Sequence, residues 1–296
     1  MLKKLFGGHT NVGPIKKILM KSPENAFVNQ DNISKQWKKL NYFGEPNFQK
    51  ASEEFAQLTA LIKSFGIEIE LLPGDDNTSL DSIYAHDPLF IFDKGAVLLN
   101  MGKAERIPEV LAVKQYLHQL KIPVVGQIQG QGKVEGGDFF WLDSKTIAIA
   151  EGYRTNADGI SQLRDILGNA LDQIISVPLP HWTGPEDCLH LLSMISPLDT
   201  NLALVYSRLM SVPFRNTLLD YGYQLIEVPD EEYESMACNV LAVAPRKCIM
   251  LDGNPITQRR MLDAGVEITT FSGQEISLKG AGGPTCLTRP ILREDK

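Results

Sequence analysis

An excess of positive charge is missing from this 296-residue chain: 29 lysines and arginines face 36 aspartates and glutamates, for a net charge of −7. That balance argues against a general affinity for nucleic acid or an anionic membrane, while leaving room for a local basic pocket. Long apolar runs are also missing, so no stretch has the length of a bilayer span. The basic start at Lys3-Lys4 breaks at Gly7-Gly8 before any signal-type apolar region develops. Cysteine is scarce. Cys188, Cys238, Cys248 and Cys286 include no Cys-x-x-Cys pair, so free thiols in a reducing cytoplasm are expected. No Cys/His cluster has the spacing of a metal site, and no metal or cofactor is expected. No linker or low-complexity segment divides the chain, so residues 1–296 read as one domain.

What is present is a repeated unit. Apolar residues make up 43% of the chain, enough for a substantial core. One order recurs: strand, polar turn, second strand, amphipathic helix, short apolar strand. Closing strands are expected at 66–72, 122–125, 173–177, 223–228 and 266–271, each after a helix at 48–63, 107–119, 159–170, 214–220 or 257–263. Strand pairs precede the later helices: 90–92 with 97–99, 139–142 with 146–149, 191–195 with 202–205, and 240–243 with 248–251. A period of roughly 50 residues signals a closed or stacked array. Five such units close into a ring of helix-covered sheets around one central site; an ordinary open α/β sheet is the competing architecture.

Chemistry concentrates in a few places. Cys286 follows Gly282-Gly283-Pro284-Thr285 near the end of the chain. A thiol becomes a strong nucleophile without a metal, although a glycine-rich turn around a small buried residue fits the same letters. Of the five histidines, His190 is expected to open a strand just after the loop 183–187, where a scaffold presents catalytic groups; a satisfied core histidine is the competing reading. Glu135-Gly136-Gly137-Asp138 sets two acids around a glycine pair before an apolar strand, and Asp87 precedes Pro88 at another strand entrance. The Gly-Gly-Asp segment also reads as a simple turn.

Seven segments together resemble the guanidine-modifying, or amidinotransferase, superfamily of the pentein fold. They are His86-Asp87-Pro88, Arg106-Ile107-Pro108-Glu109, Glu135-Gly136-Gly137-Asp138, Arg154-Thr155-Asn156, Leu189-His190-Leu191, Cys238-Asn239-Val240 and Gly282-Gly283-Pro284-Thr285-Cys286, in order along nearly the whole chain. The resemblance implies a five-bladed α/β propeller of ββαβ-type repeats around a central active site. It makes Cys286 the nucleophile, His190 the acid/base and Glu135 the third member and a guanidinium ligand. Asp87 holds guanidinium nitrogens, Arg106 and Arg154 are candidates for gripping a substrate carboxylate, and Asp138 and Asn239 support the site. The implied partner is a small guanidine; a homodimer is left open.

One position departs from the pattern. Arginine deiminases and amidinotransferases carry an acid two residues after the histidine; Leu192 stands there in this chain, and dimethylarginine dimethylaminohydrolases also lack that acid. The expectation is hydrolysis of an N-substituted, methylated arginine to citrulline and an amine. Alternatives are deiminase-like release of ammonia, amidino transfer to an amine, and a catalytically silent binding protein such as a ribosome-associated factor of the same fold; the last predicts loss of a cysteine, histidine and acid set that is present here.

Overall fold

Short apolar stretches joined by tight polar turns pair locally, and a helix returns the chain for a third, parallel strand. In the computed structural model, which describes residues 4–294, the strands are β1 (Ile15–Met20), β2 (Glu68–Leu71), β3 (Leu89–Phe92), β4 (Gly95–Leu98), β5 (Val124–Gln127), β6 (Phe139–Trp141), β7 (Thr146–Glu151) and β8 (Gln173–Pro178). They continue as β9 (Ile195–Asp199), β10 (Leu202–Val205), β11 (Gln224–Glu227), β12 (Leu241–Ala244), β13 (Lys247–Leu251), β14 (Glu267–Phe271) and β15 (Arg289–Arg293). Among the described residues they form five three-stranded sheets: β15-β1-β2, β3-β4-β5, β6-β7-β8, β9-β10-β11 and β12-β13-β14. In each, the first two strands are antiparallel and the third is parallel to the second. The five-bladed α/β propeller is the fold.

Burial explains the composition of the strands. The middle strands β4 and β10 are buried at every position, which is why they read as unbroken apolar runs. The third strands β2, β5 and β8 are largely half-buried or exposed. Helix Phe48–Ser64 buries Ala51, Phe55, Leu58 and Ile62, one face at helical spacing, and Asn47 caps it by accepting from the Lys50 amide. Helix Ile107–Gln119 buries Val110, Val113 and Leu117 in the same way. Among the described residues no helix is long and apolar enough to cross a membrane.

Three differences from the sequence-based expectations have physical causes. The helix expected over 159–170 is Ala157–Leu167: Asn156 caps its start, and Gly168, at φ 51°, lets the chain leave it. The strand expected at 191–195 is a 3-10 turn, Leu191–Ser193, with β9 starting at Ile195. Asp138 takes the Leu191 amide and Ser193 the His190 amide, so these groups are unavailable to a sheet ladder. The fifth strand pair, absent from the sequence reading, is made by the chain ends: β15 pairs antiparallel with β1 and closes the ring.

Ile291 lies fully buried in β15. Ile291→Ala is expected to cost about 2–5 kcal/mol, against less than about 0.5 kcal/mol for Leu111→Ala on an exposed helix face. Equilibrium urea unfolding measures both; equal effects would show that ring closure lies outside the cooperative unit.

Candidate active site

The turn ahead of the first strand in each sheet carries one chemical group. Asp87 precedes β3, Glu135 precedes β6, His190 precedes β9, Asn239 precedes β12 and Cys286 precedes β15. The ring brings these five turns together at one end of its centre.

Two carboxylates form the floor. Glu135 is 0% exposed, with Oε1 accepting the amides of Gly102 at 2.8 Å and Lys103 at 3.2 Å. Its Oε2 takes His190 Nε2 at 2.7 Å and Arg154 Nη1 at 3.1 Å. Burial raises the pKa of this carboxyl, but Arg154 and the His190 hydrogen bond outweigh it and hold it at about 2. Asp87 accepts Arg106 Nη1 at 2.6 Å and the Gly137 amide at 2.9 Å. Burial opposes its ionisation as well, yet Arg106 and His190 keep it well below the usual carboxylate range. Asp138 orders the surroundings: it accepts Thr155 Oγ1 at 2.5 Å and the Leu191 amide at 3.0 Å, while Thr155 Oγ1 takes the Glu135 amide. Burial raises its pKa to about 6. Gly137 permits the close approach of the imidazole, since a Cβ there would stand 2.5 Å from His190 Nδ1.

The acid and thiol segments are laced together. The His86 amide donates to the Cys286 carbonyl at 3.1 Å, and His86 Nδ1 donates to the Thr288 carbonyl at 2.7 Å. Arg289 Nε donates to the His86 carbonyl at 2.7 Å. Asn239 supports the nucleophile position: its Nδ2 donates to Cys286 Sγ at 3.2 Å and its Oδ1 accepts the Thr285 amide at 3.1 Å. The glycines before Cys286 bring backbone against the protein itself, because a Cβ on Gly283 would stand 2.5 Å from the Asn239 amide group.

Proton states follow from these surroundings. Burial, then Asp87 and Cys188, push the Cys286 thiol up to about 12, so it rests protonated. Burial disfavours charge on His190, but Cys188, Asp138 and Asp87 together raise it well above the usual imidazole value. Among the described residues no hydrogen bond joins His190 to Cys286, so they are not a resting ion pair. Asp87, Glu135 and His190 place ligand atoms within 4.8 Å of one another, a set able to receive a cation.

A cavity of about 390 Å³ opens onto Asp87, Arg106, Arg154, Cys188 and Cys286. Arg106 has other partners besides any substrate: Glu109 takes its Nε and Nη2 at 2.9 Å each, the Tyr84 carbonyl takes Nη2, and Asp87 takes Nη1. Leu192 lines a second cavity and not this one, Asp187 lines the present cavity, and Asp199 is paired with Arg246. Two groups at the site were not singled out from sequence. Cys188 lines the cavity with Sγ 3.8 Å from His190 Nδ1, its thiol pKa raised by burial but brought below the usual value by His190 and Arg154. Lys103 joins Asp81 at 2.7 Å on the cavity wall. Cys188 stands two residues before His190, a spacing that was the available signal.

Comparison with known proteins places the chain among relatives of the same fold. An uncharacterised Bacillus subtilis protein, YkgA, is 27% identical over 286 residues, covering 96% of this chain and 94% of that protein. An arginine deiminase of Latilactobacillus sakei is 23% identical over 201 residues, covering 55% of this chain; the chain spans about half of that relative, 48%. The dimethylarginine dimethylaminohydrolase of Pseudomonas aeruginosa, solved with citrulline, superimposes with a TM-score of 0.75 at 24% identity, covering 94% of this chain and 100% of that one. SxtG, an amidinotransferase of Microseira wollei, gives 0.81 at 14% identity, covering 99% and 98%. The family model described as N,N dimethylarginine dimethylhydrolase, eukaryotic, matches residues 22–293, which include every site residue above, and the chain belongs to that family.

Proposed function

We propose that the protein hydrolyses an N-substituted arginine, of the methylated kind, to citrulline and an amine through a covalent intermediate on Cys286. The observation that carries this reading is the convergence of Asp87, Glu135, His190 and Cys286 from four different sheets on one end of the ring. A planar guanidinium matches two carboxylates through paired, charge-assisted hydrogen bonds. Its central carbon is a poor electrophile, so catalysis depends on fixing it beside the thiol.

On substrate binding the thiol releases its proton to solvent, and the thiolate attacks the guanidinium carbon, forming a C–S bond as the C=N π pair moves onto nitrogen. Protonated His190 gives its proton to the departing amine as the C–N bond breaks, leaving an S-alkylthiouronium. Neutral His190 then takes one proton from water as the hydroxide adds to that carbon; the C–S bond breaks and the remaining hydroxyl proton passes to the departing thiolate, releasing the neutral ureido product and the thiol. Glu135 steadies the imidazolium through Nε2. Arg154 grips the substrate's remote carboxylate with the nitrogens not used by Glu135. Arg106, bound to Asp87 and Glu109, serves chiefly to hold Asp87 in place. Similarity to arginine deiminases supports a second reading, release of ammonia from arginine by the same steps.

Incubation with arginine, methylated arginines, agmatine and other guanidines is expected to give ureido product and methylamine from a methylated arginine. Ammonia as the main released amine would favour the deiminase reading. Cys286→Ser should abolish turnover without unfolding the protein; near-normal turnover would remove the thiol from the mechanism. The two arginines should separate: Arg154→Ala raises KM more than it lowers kcat. Arg106→Met leaves buried acids unmatched and costs about 3–5 kcal/mol of stability. Matching kinetic effects in both variants would contradict the division of roles. Because burial places the Cys286 thiol near 12, its alkylation in the free protein should rise about tenfold per pH unit from pH 7 to 9, read by mass spectrometry of the Cys286 peptide. A plateau below pH 8 would show a thiolate already present at rest.

A further inference from the structure

Behind the acid floor lies a second, smaller cavity of about 90 Å³, lined by Arg289, Arg293, His86, Leu192, Phe139 and Trp141 among others. Among the described residues no Asp or Glu lines it. Arg289 and Arg293 are 7% and 8% exposed, so two arginines that line this cavity are more than nine-tenths buried. Among the described residues their hydrogen-bond partners are carbonyl oxygens only. Arg289 donates through Nε and Nη2 to the His86 carbonyl, and Arg293 Nη1 donates to the carbonyls of Gly13 at 2.7 Å and Ala242 at 3.0 Å. Nη1 of Arg289 and Nε and Nη2 of Arg293 have no protein partner among the described residues, and they are not sealed off from the cavity.

Elsewhere in this protein the deeply buried arginines meet carboxylates: Arg106 has Asp87 and Glu109, and Arg154 has Glu135. An unmatched buried charge is costly, and two of like sign raise the cost further. Burial disfavours charge on both arginines: it lowers Arg289 to about 10, with Asp87 offsetting it only in part, and together with Arg289 it brings Arg293 to about 9. The neighbouring His86 is held neutral, with burial and Arg289 lowering it to about 3, so it adds no compensating charge. The cavity is several times the roughly 10–15 Å³ that one water needs, so it has room for an ion as well as solvent.

We infer that this cavity is a binding site for a small anion, a halide or a carboxylate, held between Arg289 and Arg293 on the far side of the His86-Asp87 segment from the thiol. The anion supplies counter-charge at a cavity that, among the described residues, no carboxylate lines. Its chemistry is shared by chloride and by formate or acetate. The site is separate from the proposed guanidine site, because its ligand has the opposite charge and the two cavities share no lining residue among those described.

The test uses the whole protein. Crystals grown with sodium bromide should show an anomalous peak within hydrogen-bonding distance of both guanidinium groups. Thermal unfolding in bromide, formate, acetate or phosphate, each balanced to constant ionic strength with gluconate, should show a saturable rise of about 2–4 °C for the anions that fit. Arg293→Met should lose that rise. Bromide and formate acting alike would define a general small-anion site; formate or acetate acting alone would define a carboxylate site. An anomalous map with no peak in the cavity, together with melting curves that match those in gluconate alone, would overturn the inference. The bromide experiment on the unaltered protein keeps the test decisive if Arg293→Met fails to fold.

Discussion

Keeping carboxylates ionised where water hardly reaches is the constraint on which this structure depends. Glu135 and Asp87 are 0% and 3% exposed, and an unmatched buried carboxylate costs several kcal/mol. Each is therefore matched twice over, by a guanidinium and by backbone amides: Arg154 with the amides of Gly102 and Lys103, and Arg106 with that of Gly137. The requirement spreads outward. Arg106 needs Glu109, which ties the first turn of helix Ile107–Gln119 to the floor of the site, and Asp138 holds the turn that carries His190. Little of this network can change without leaving a charge exposed to an apolar interior.

The ring makes such a network attainable for a chain with short sheets. Each sheet contributes one turn ahead of its first strand, so five side chains distant in sequence meet without long loops. Closure and chemistry also share contacts. β15 completes the sheet with β1, the turn before it carries Cys286, and the same segment bonds to His86 beside Asp87. A loosened ring therefore separates thiol from acid as it loses stability. That coupling follows from placing the nucleophile on the strand that closes the circle.

Much of the fold was legible because strands and helices carry their periodicity locally. Helix Ile107–Gln119 and all five closing strands fall where apolar spacing puts them. The fifth strand pair was hidden because β1 and β15 lie at opposite ends of the chain, and local pattern carries no record of a partner that far away. Residues 191–193 looked like a strand because Leu191 and Leu192 are apolar; their amides are diverted by Asp138 and Ser193, which only the folded chain brings near. The motif residues were legible as a set through family resemblance. The partners that decide their charge were not. Nothing in the spacing of Arg106 shows that four of its hydrogen bonds end on Asp87, Glu109 and the Tyr84 carbonyl. Cys188, two residues from His190, was overlooked because a lone thiol in a loop has no periodic signature.

On the proposed reading, the charge constraint also explains how a half-buried thiol can be both inert and reactive. In the free protein, burial and the negative charge of Asp87 hold Cys286 as the thiol. A guanidinium arriving at Asp87 cancels that field at the moment the carbon to be attacked comes within reach. Entry of one positive charge into a closely matched cluster is offset most directly by release of one proton, and the thiol is the neutral acid beside the newcomer. The reverse holds at the end of the cycle. A ureido product is neutral, so the field of Asp87 returns, the thiolate takes up a proton, and the acids lose their grip on what remains. Activation and release thus follow from the charge of the ligand alone, and a neutral urea of the same shape is a poor occupant of the site.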